Sequence, residues 1–162
     1  MIPVVVMGVS GSGKTTVGAA LARELGAEFL EGDRFHPPEN IAKMSRGEPL
    51  DDADRWPWLD RLGSELAARG KEGRPVVLAC SALKRAYRDR LRRSWPALCF
   101  VYLRGDFDLI HGRLAARHGH FMPTDLLQSQ FAALEEPKDA VIVDISQSTE
   151  QIVSEIRQRL AI

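Results

Sequence analysis

The feature that most constrains this chain is a glycine-rich turn near its start, set between an apolar run and a helical pattern. The three valines Val4 to Val6 are typical of a buried parallel strand. The segment Gly8–Thr15 then matches the pattern G-x-x-x-x-G-K-[ST] at every defined position. From Lys14 onward, apolar residues recur every four positions until Gly26, which predicts a helix that ends there. Strand, glycine loop and helix follow one another in the order that a phosphate-binding loop (P-loop) requires.

The residue types of this loop suit a nucleoside triphosphate, although a glycine-rich turn that binds nothing is the alternative. Glycines let successive backbone N–H groups converge on phosphates, and the start of the helix adds unpaired N–H groups and the positive end of its dipole. We expect Lys14 to reach the outer phosphates and the Thr15 hydroxyl to bind Mg²⁺. The loop residues expected to bind the nucleotide are Gly8, Val9, Ser10, Gly11, Ser12, Gly13, Lys14, Thr15 and Thr16.

Composition and net charge bear on the number of domains, on the kinds of partner and on the location of the protein. With 162 residues, 44% of them hydrophobic and 27% charged, the chain suits one globular domain spanning residues 1–162. A net charge of zero disfavours nucleic acid and anionic membranes as partners. No apolar run approaches the roughly 18–20 residues of a membrane span, and the first strand begins too early for a signal peptide. We therefore expect a cytoplasmic protein in which Cys80 and Cys99 are core thiols rather than a disulfide.

Two carboxylates lie at the end of the second predicted strand, 27–31: Glu31 is its last residue, and Asp33 comes two positions later. If the chain stays extended beyond it, alternation places Glu31 and Asp33 on the same side, beside the P-loop at the carboxyl edge of the sheet. A carboxylate there can accept a proton from an attacking hydroxyl or hold Mg²⁺ through water, although either residue could also be a solvated loop acid. The third predicted strand, Val76–Ala79, lacks the aspartate that usually ends such a strand, so Glu31 or Asp33 is expected to replace it.

Several cations are candidates for binding an anionic acceptor. Arg55 could fork onto a carboxylate or phosphate, or form a surface ion pair with Asp51 or Asp52. Lys84 and Arg88 lie on the first turns of a predicted helix near the same sheet edge, for which Ser81 is a candidate N-cap. A solvated basic helix face is the alternative.

The rest of the chain predicts an α/β fold with a lid. Five strands alternating with helices imply a mostly parallel sheet covered on both faces. Residues 37–69 read as a helical region, interrupted at Gly47–Pro49, on the acceptor side. Arg113 and Arg117 are four apart on a predicted helix that breaks at 118–123, so a lid over residues 113–125 could close these arginines over transferring phosphates.

Taken together, these segments make the chain strongly resemble the gluconokinase family of small P-loop kinases. The glycine loop alone indicates only a nucleotide, whereas the G-D-x-x-H-P and C-S-A-L-K-R segments are far more specific. The matching segments are Gly8–Thr15, Gly32–Pro37, Lys43–Met44, Gly47–Leu50, Asp54–Arg55, Pro57–Leu59, Cys80–Arg85, Tyr87–Asp89, His120–Pro123 and Ser129–Phe131.

The resemblance implies a P-loop NTPase fold, a three-layer α/β/α arrangement with sheet order 2-3-1-4-5, in which Cys80 and Cys99 should not meet. It implies ATP- and Mg²⁺-dependent phosphorylation of D-gluconate to 6-phosphogluconate, and a homodimer. Asp33 then corresponds to the carboxylate that orients the sugar hydroxyl, Glu31 to a magnesium-associated acid, and Arg117 to a lid arginine near the adenine and phosphates. The residues placed by the resemblance at the acceptor are Asp33, His36, Arg55, Ser81, Lys84 and Arg88; those at the nucleotide include Arg113.

Two other interpretations remain on the sequence alone. A kinase of similar build could act on shikimate or a nucleoside monophosphate, although Cys80–Ala82 replaces the glycine run that ends the third strand of shikimate kinases. A module that binds ATP without an acceptor would leave Asp33, Arg55 and Lys84 unexplained. Acceptor-dependent release of ADP separates all three.

Overall fold

The computed structural model describes residues 2–116 and 124–162. Its five strands are β1 (Val4–Met7), β2 (Glu28–Glu31), β3 (Val76–Ala79), β4 (Cys99–Arg104) and β5 (Val141–Asp144). Its helices are α1 (Lys14–Leu25), α2 (Pro38–Ser45), α3 (Asp52–Lys71), α4 (Arg85–Ser94), α5 (Phe107–Ala116), α6 (Thr124–Ala133) and α7 (Thr149–Leu160), with a 3₁₀ turn at Gly32–Phe35.

All strand pairs are parallel, and the sheet order is β2-β3-β1-β4-β5. This confirms both the predicted α/β class and the strand order implied by the family resemblance. The order places β1 between β3 and β4, so the loop after β1 emerges at the centre of the carboxyl edge. The same arrangement separates the two thiols, and both Cys80 and Cys99 are free.

Alternation along β1 supplies a core on each face of the sheet. Val4 and Val6 pack with α1 and α7, whereas Val5 and Met7 pack on the opposite face with α3 and α4. The apolar stripe of α3 is buried there and consists of Trp58, Leu59, Leu62 and Leu66. Because both faces of the central strand are fully buried, the position of the P-loop is fixed by packing on two sides.

Within the part of the chain that the structure describes, three helices begin with a side-chain cap; for α5 the cap is Asp106, whose carboxylate accepts from the Leu109 N–H at 2.8 Å. α3 starts with a reciprocal capping box between Asp51 and Asp54, and α7 starts with one between Ser148 and Gln151. In the described residues, no helix is long and apolar enough to cross a membrane.

Candidate active site

The P-loop has a backbone that only glycines adopt easily. Gly11 and Gly13 have φ angles of +81° and +98°, in the region that side chains disfavour. A Cβ at Gly11 would also lie 2.7 Å from the side chain of Leu114 on α5. The loop geometry therefore depends on glycine at both positions, of which the motif specifies Gly13, whereas Gly11 stands at one of its variable positions.

The start of α1 differs from the capped starts of α3 and α7. Its N-cap is Gly13, no side chain caps it, and no acidic residue lies in its first turn. Within the described residues, the N-cap residue therefore places no side chain over the positive dipole end of this helix. Such a terminus, beneath a glycine loop, fits the phosphates of a nucleotide.

Lys14 and Thr15 lie at the base of this loop with partners that suit their predicted roles. The Lys14 ammonium donates to the carbonyl oxygens of Gly8 and Val9, each at 3.0 Å, which keeps it at the loop. The Thr15 hydroxyl donates to Glu31. Glu31 reaches Thr15 because β2 pairs with β3 in a register that sets Glu31 beside Ala79.

This corner fits a magnesium ion that is bound partly through phosphates and water. In the described part of the chain, no group of three or more His, Cys, Asp or Glu side chains could hold a metal ion by itself. Mg²⁺ in nucleotide sites commonly has one or two protein ligands and completes its shell with phosphate oxygens and water. One hydroxyl beside one carboxylate matches that donor set.

Asp33 lies in the site, but not by the geometry that alternation predicted. The chain does not stay extended after Glu31, because Gly32–Phe35 forms a 3₁₀ turn. Trp58 on α3 donates from Nε1 to the Gly32 carbonyl at 2.8 Å and holds this turn. The Asp33 side chain is 70% exposed, and it lines the same cavity as Lys14.

That cavity has a volume of about 240 Å³ and joins the P-loop to α2, α3 and α6. It brings together six residues of the predicted site, Ser10, Lys14, Asp33, His36, Arg55 and Ser81. Residues that line it but were not assigned a role from the sequence are Met44, Pro49, Leu50, Trp58, Leu83, Leu126, Ser129 and Gln130. Met44, Ser129 and Gln130 lie in segments that carry the family resemblance, which was the available signal.

Three charged side chains of the predicted site, Lys14, Glu31 and Asp33, affect the pKa of the buried Cys80 thiol at the carboxyl edge of the sheet. Burial raises the pKa of this thiol to about 12; Asp33 adds to the rise, Lys14 opposes it, and Glu31 adds a smaller increase. Three predicted functional side chains therefore act electrostatically on one buried atom at the end of β3. The thiol stays protonated at neutral pH, so Cys80 is a core residue rather than a nucleophile.

Arg55 lines the cavity of about 240 Å³, which we call the acceptor cavity. Its Nη1 donates to the Tyr87 hydroxyl at 3.2 Å and to the Leu50 carbonyl, and its guanidinium lies 5.3 Å from the centre of the Tyr87 ring. The alternative ion pair with Asp51 or Asp52 is not among the ion pairs of the described residues.

Lys84 instead pairs with Asp52, at 3.1 Å. The Tyr87 hydroxyl also donates to Asp52, and hydrogen bonds from Tyr87 and then Lys84 lower the pKa of the Asp52 carboxyl. Lys84 lines an adjoining cavity of about 460 Å³ that also contains Arg55 and Ser129. Among the predicted acceptor cations, Arg55 is therefore the one that lines both cavities.

Arg88 does not lie with the other acceptor candidates. Its side chain is buried, with Nη1 donating to the carbonyls of Ala82 and Leu83 and Nη2 donating to that of Glu135. Burial lowers its pKa. These bonds give Arg88 a structural explanation, and we leave it out of the proposed acceptor site.

The expectation that Ser81 is the N-cap of the helix α4 is wrong. The N-cap is Lys84, without a side-chain hydrogen bond; the Glu135 carboxylate accepts from the Arg85 N–H instead. The Ser81 carbonyl accepts from the Gly8 N–H at 3.3 Å, so this segment supports the P-loop as well as lining the cavity.

The predicted lid is only partly within the described residues. Arg113 lies on α5 and donates from Nη2 to the Ile145 carbonyl. Arg117 lies outside the described residues, as does most of the lid segment 113–125. On the other side of that segment, Gln130 of α6 accepts from the Ser10 N–H at 2.8 Å and donates to the Ser10 hydroxyl at 3.0 Å. This pair of bonds ties α6 directly to the P-loop.

Comparison with known proteins identifies the family. A family model described as an AAA domain matches residues 4–137. The thermoresistant gluconokinase of Escherichia coli is 49% identical over 154 residues, which cover 93% of this chain and 88% of that protein. The chain belongs to the gluconokinase family. A crystal structure of a gluconokinase from Sinorhizobium meliloti matches with a TM-score of 0.90 and 53% identity, covering 98% of this chain and 91% of that one.

A shikimate kinase structure from Bacteroides thetaiotaomicron also superimposes, with a TM-score of 0.68, 99% coverage of both chains and 18% identity. At that identity the match shows the fold alone. The protein is thus a kinase of the gluconokinase family, with the P-loop fold that this family shares with more distant small-molecule kinases.

Proposed function

We propose that this kinase transfers the γ-phosphoryl group of ATP to the 6-hydroxyl of D-gluconate, giving 6-phosphogluconate and ADP. The observation that carries the proposal is the single cavity lined by Lys14, Asp33 and Arg55. It combines a phosphate-binding cation, a solvent-accessible carboxylate and a cation able to bind an acid. The family supplies the choice of substrate, because its named members are gluconokinases.

Phosphoryl transfer of this kind depends mainly on positioning and on neutralising charge. The transition state is loose, so the attacking hydroxyl need not be fully deprotonated in advance. In our proposal Asp33 accepts a hydrogen bond from the hydroxyl, holds it in line with the γ-phosphorus and takes its proton as the new P–O bond forms. The bond to the β-phosphate oxygen breaks, and ADP leaves with that electron pair.

Charge on the phosphates is met by Lys14, by the N–H groups of the loop and by the start of α1. Thr15 and, through water, Glu31 would hold Mg²⁺. That ion supplies further neutralisation of the transferring and leaving oxygens. Arg113 and Arg117 remain predicted nucleotide-side residues.

On the acceptor side, we assign the gluconate carboxylate to Arg55. A planar guanidinium can bind a carboxylate through two parallel hydrogen bonds, whereas the Lys84 ammonium is paired with Asp52. His36 and Ser81 line the same cavity and would contact the hydroxyls of the sugar chain. Lys84 remains a candidate for contacts at the adjoining cavity.

The test is ADP release from ATP and Mg²⁺ with gluconate, shikimate, AMP or no acceptor. Release that depends on gluconate, with 6-phosphogluconate as the product, is the expected result. Release with shikimate or AMP would retain the fold and mechanism but overturn the substrate. ATP binding without release in any of the four would make the chain a nucleotide-binding module.

A further inference from the structure

His36 is a buried titratable residue whose ring orientation is fully specified. It is 6% exposed, and its ring stacks on Trp58 with the centroids 4.0 Å apart and the planes 18° from parallel. It lines the acceptor cavity, where its Nε2 lies 4.0 Å from Oδ1 of Asp33. One ring nitrogen therefore faces the carboxylate proposed to act on the substrate hydroxyl.

The other ring nitrogen meets Asn40, which is 3% exposed. The Asn40 amide nitrogen lies 2.9 Å from the Asp54 carbonyl oxygen and 3.1 Å from Nδ1 of His36. A carbonyl can only accept a hydrogen bond, so Asn40 must turn its NH₂ group toward Asp54. The second hydrogen of that group then points to His36.

The protonation of the imidazole follows from this bond. Because Nδ1 accepts from Asn40, it carries a lone pair, and a neutral imidazole must hold its proton on Nε2. Burial lowers the pKa of His36 to about 4, with Asp33 opposing the shift and Arg55 assisting it. The ring is therefore uncharged at neutral pH, and its tautomer is set by Asn40.

We propose that Asn40 is a positioning residue, which fixes His36 as a hydrogen-bond donor at Nε2 toward Asp33 and the acceptor hydroxyls. This inference rests on the proposed role of Asp33. The opposite tautomer would place the Nε2 lone pair against the Asp33 carboxylate, so that two acceptors face each other where a donor is needed. At 4.0 Å the ring and the carboxylate are not hydrogen-bonded directly, so the cost would be electrostatic, and His36 could no longer donate to an acceptor hydroxyl held beside Asp33.

The tautomer can be measured directly, without any activity. In protein with ¹⁵N-labelled histidine, long-range ¹H–¹⁵N spectra distinguish protonated from unprotonated ring nitrogens, and His36→Gln assigns the His36 signals. We expect protonated Nε2 and unprotonated Nδ1 in the wild type. Asn40→Asp keeps the size of the side chain but can only accept, so protonation should appear at Nδ1. A proton on Nδ1 in the wild type would overturn the proposal.

Kinetics separate positioning from a merely structural role. We expect Asn40→Asp and Asn40→Ser to lower kcat with gluconate roughly 10-fold, as lost outer-shell partners of functional histidines do, with a smaller effect on KM. In an Asp33→Asn background the same substitutions should have little further effect, because both act through one group. If the Asn40 substitutions lowered kcat by the same factor in the Asp33→Asn background as in the wild type, Asn40 would act on fold stability alone.

The two proposals fail differently. If the wild type releases no ADP with gluconate, the substrate assignment fails, while the tautomer measurement still decides what Asn40 does to His36. If gluconate turnover is normal and Asn40→Asp changes the tautomer without changing kcat, the positioning role fails and the kinase assignment stands.

Discussion

Replacing Gly32 with alanine should damage both the stability and the turnover of this kinase, because Gly32 lies against the sheet. A Cβ at this position would come closer than 3.0 Å to the Ala79 carbonyl oxygen and would lie 3.4 Å from the Ala79 carbonyl carbon. Ala79 is a backbone neighbour of both β1 and β2, so it cannot move without disturbing three strands. The turn that carries Asp33 must move instead.

The size of the expected losses in stability and in kcat follows from this steric collision. Relief requires a shift of roughly 0.5 Å or more, and overpacking of this kind costs about 1–3 kcal/mol of unfolding free energy. For a chain of this size that lowers the Tm by about 2–12 °C. Because a misplacement approaching 1 Å in a reacting group can cost about 10²-fold, kcat should fall by roughly 10-fold to 10²-fold.

The assay is thermal unfolding beside gluconate-dependent ADP release, with Gly112→Ala as the matched control. Gly112 lies in α5, and a Cβ there would meet no heavy atom of residues 2–116 or 124–162 within 4 Å, apart from its chain neighbours and the backbone of its own helix. This substitution should leave the Tm unchanged or raise it, since alanine favours the helix by up to about 1 kcal/mol. Wild-type Tm and kcat in Gly32→Ala would refute the reasoning.

Three further predictions concern charge. Lys14→Ala should lower turnover by at least roughly 10²-fold in a folded protein, as the loss of a charge-stabilising donor does, and near-normal kcat beside an unchanged circular dichroism spectrum would contradict this. The pKa of His36 is about 6.5 in the unfolded chain, and burial lowers it to about 4 in the folded protein. As the pH falls from 6.5 to 4, the wild type should therefore lose about 3 kcal/mol more unfolding free energy than His36→Gln, as measured by urea titration. Parallel pH profiles for the two proteins would exclude the pKa shift. A hydrogen bond from Arg69 lowers the pKa of Glu28 below its ordinary 4.5. The wild type should therefore be more stable than Glu28→Gln by a full margin above pH 4.5, and this margin should shrink as the pH falls through the native pKa of Glu28. A margin that does not change with pH would contradict a stabilising Glu28–Arg69 ion pair.

Local patterns predicted the strand, the glycine loop and the helix of the P-loop correctly. The valine strand, the glycine loop and α1 are adjacent in the chain, and their motif has a fixed backbone geometry, so a short window contained the necessary information. The interruption at Gly47–Pro49 also separates two helices, α2 and α3, as predicted. The strand order came from the family resemblance rather than from periodicity, because alternation along a strand does not reveal its neighbours.

The acceptor side depended on contacts between distant residues. The 3₁₀ turn at Gly32–Phe35 is held by Trp58, which lies 26 positions from Gly32 along the chain, so alternation alone wrongly extended the strand. The sequence suggested an exposed Arg88, because one of the carbonyl groups that accept hydrogen bonds from the buried side chain belongs to Glu135, 47 positions along the chain. Nothing in the sequence singled out Asn40, whose importance arises only where α2 meets α3 and the His36 ring.

The most direct test of this account is gluconate-dependent ADP release by Asp33→Asn beside the wild type, with ATP affinity measured in both. We expect the substitution to keep ATP binding, since Lys14 and the P-loop are unchanged, and to lower kcat by roughly 10²-fold or more through loss of the proton acceptor. Turnover close to that of the wild type would contradict the central role assigned to Asp33.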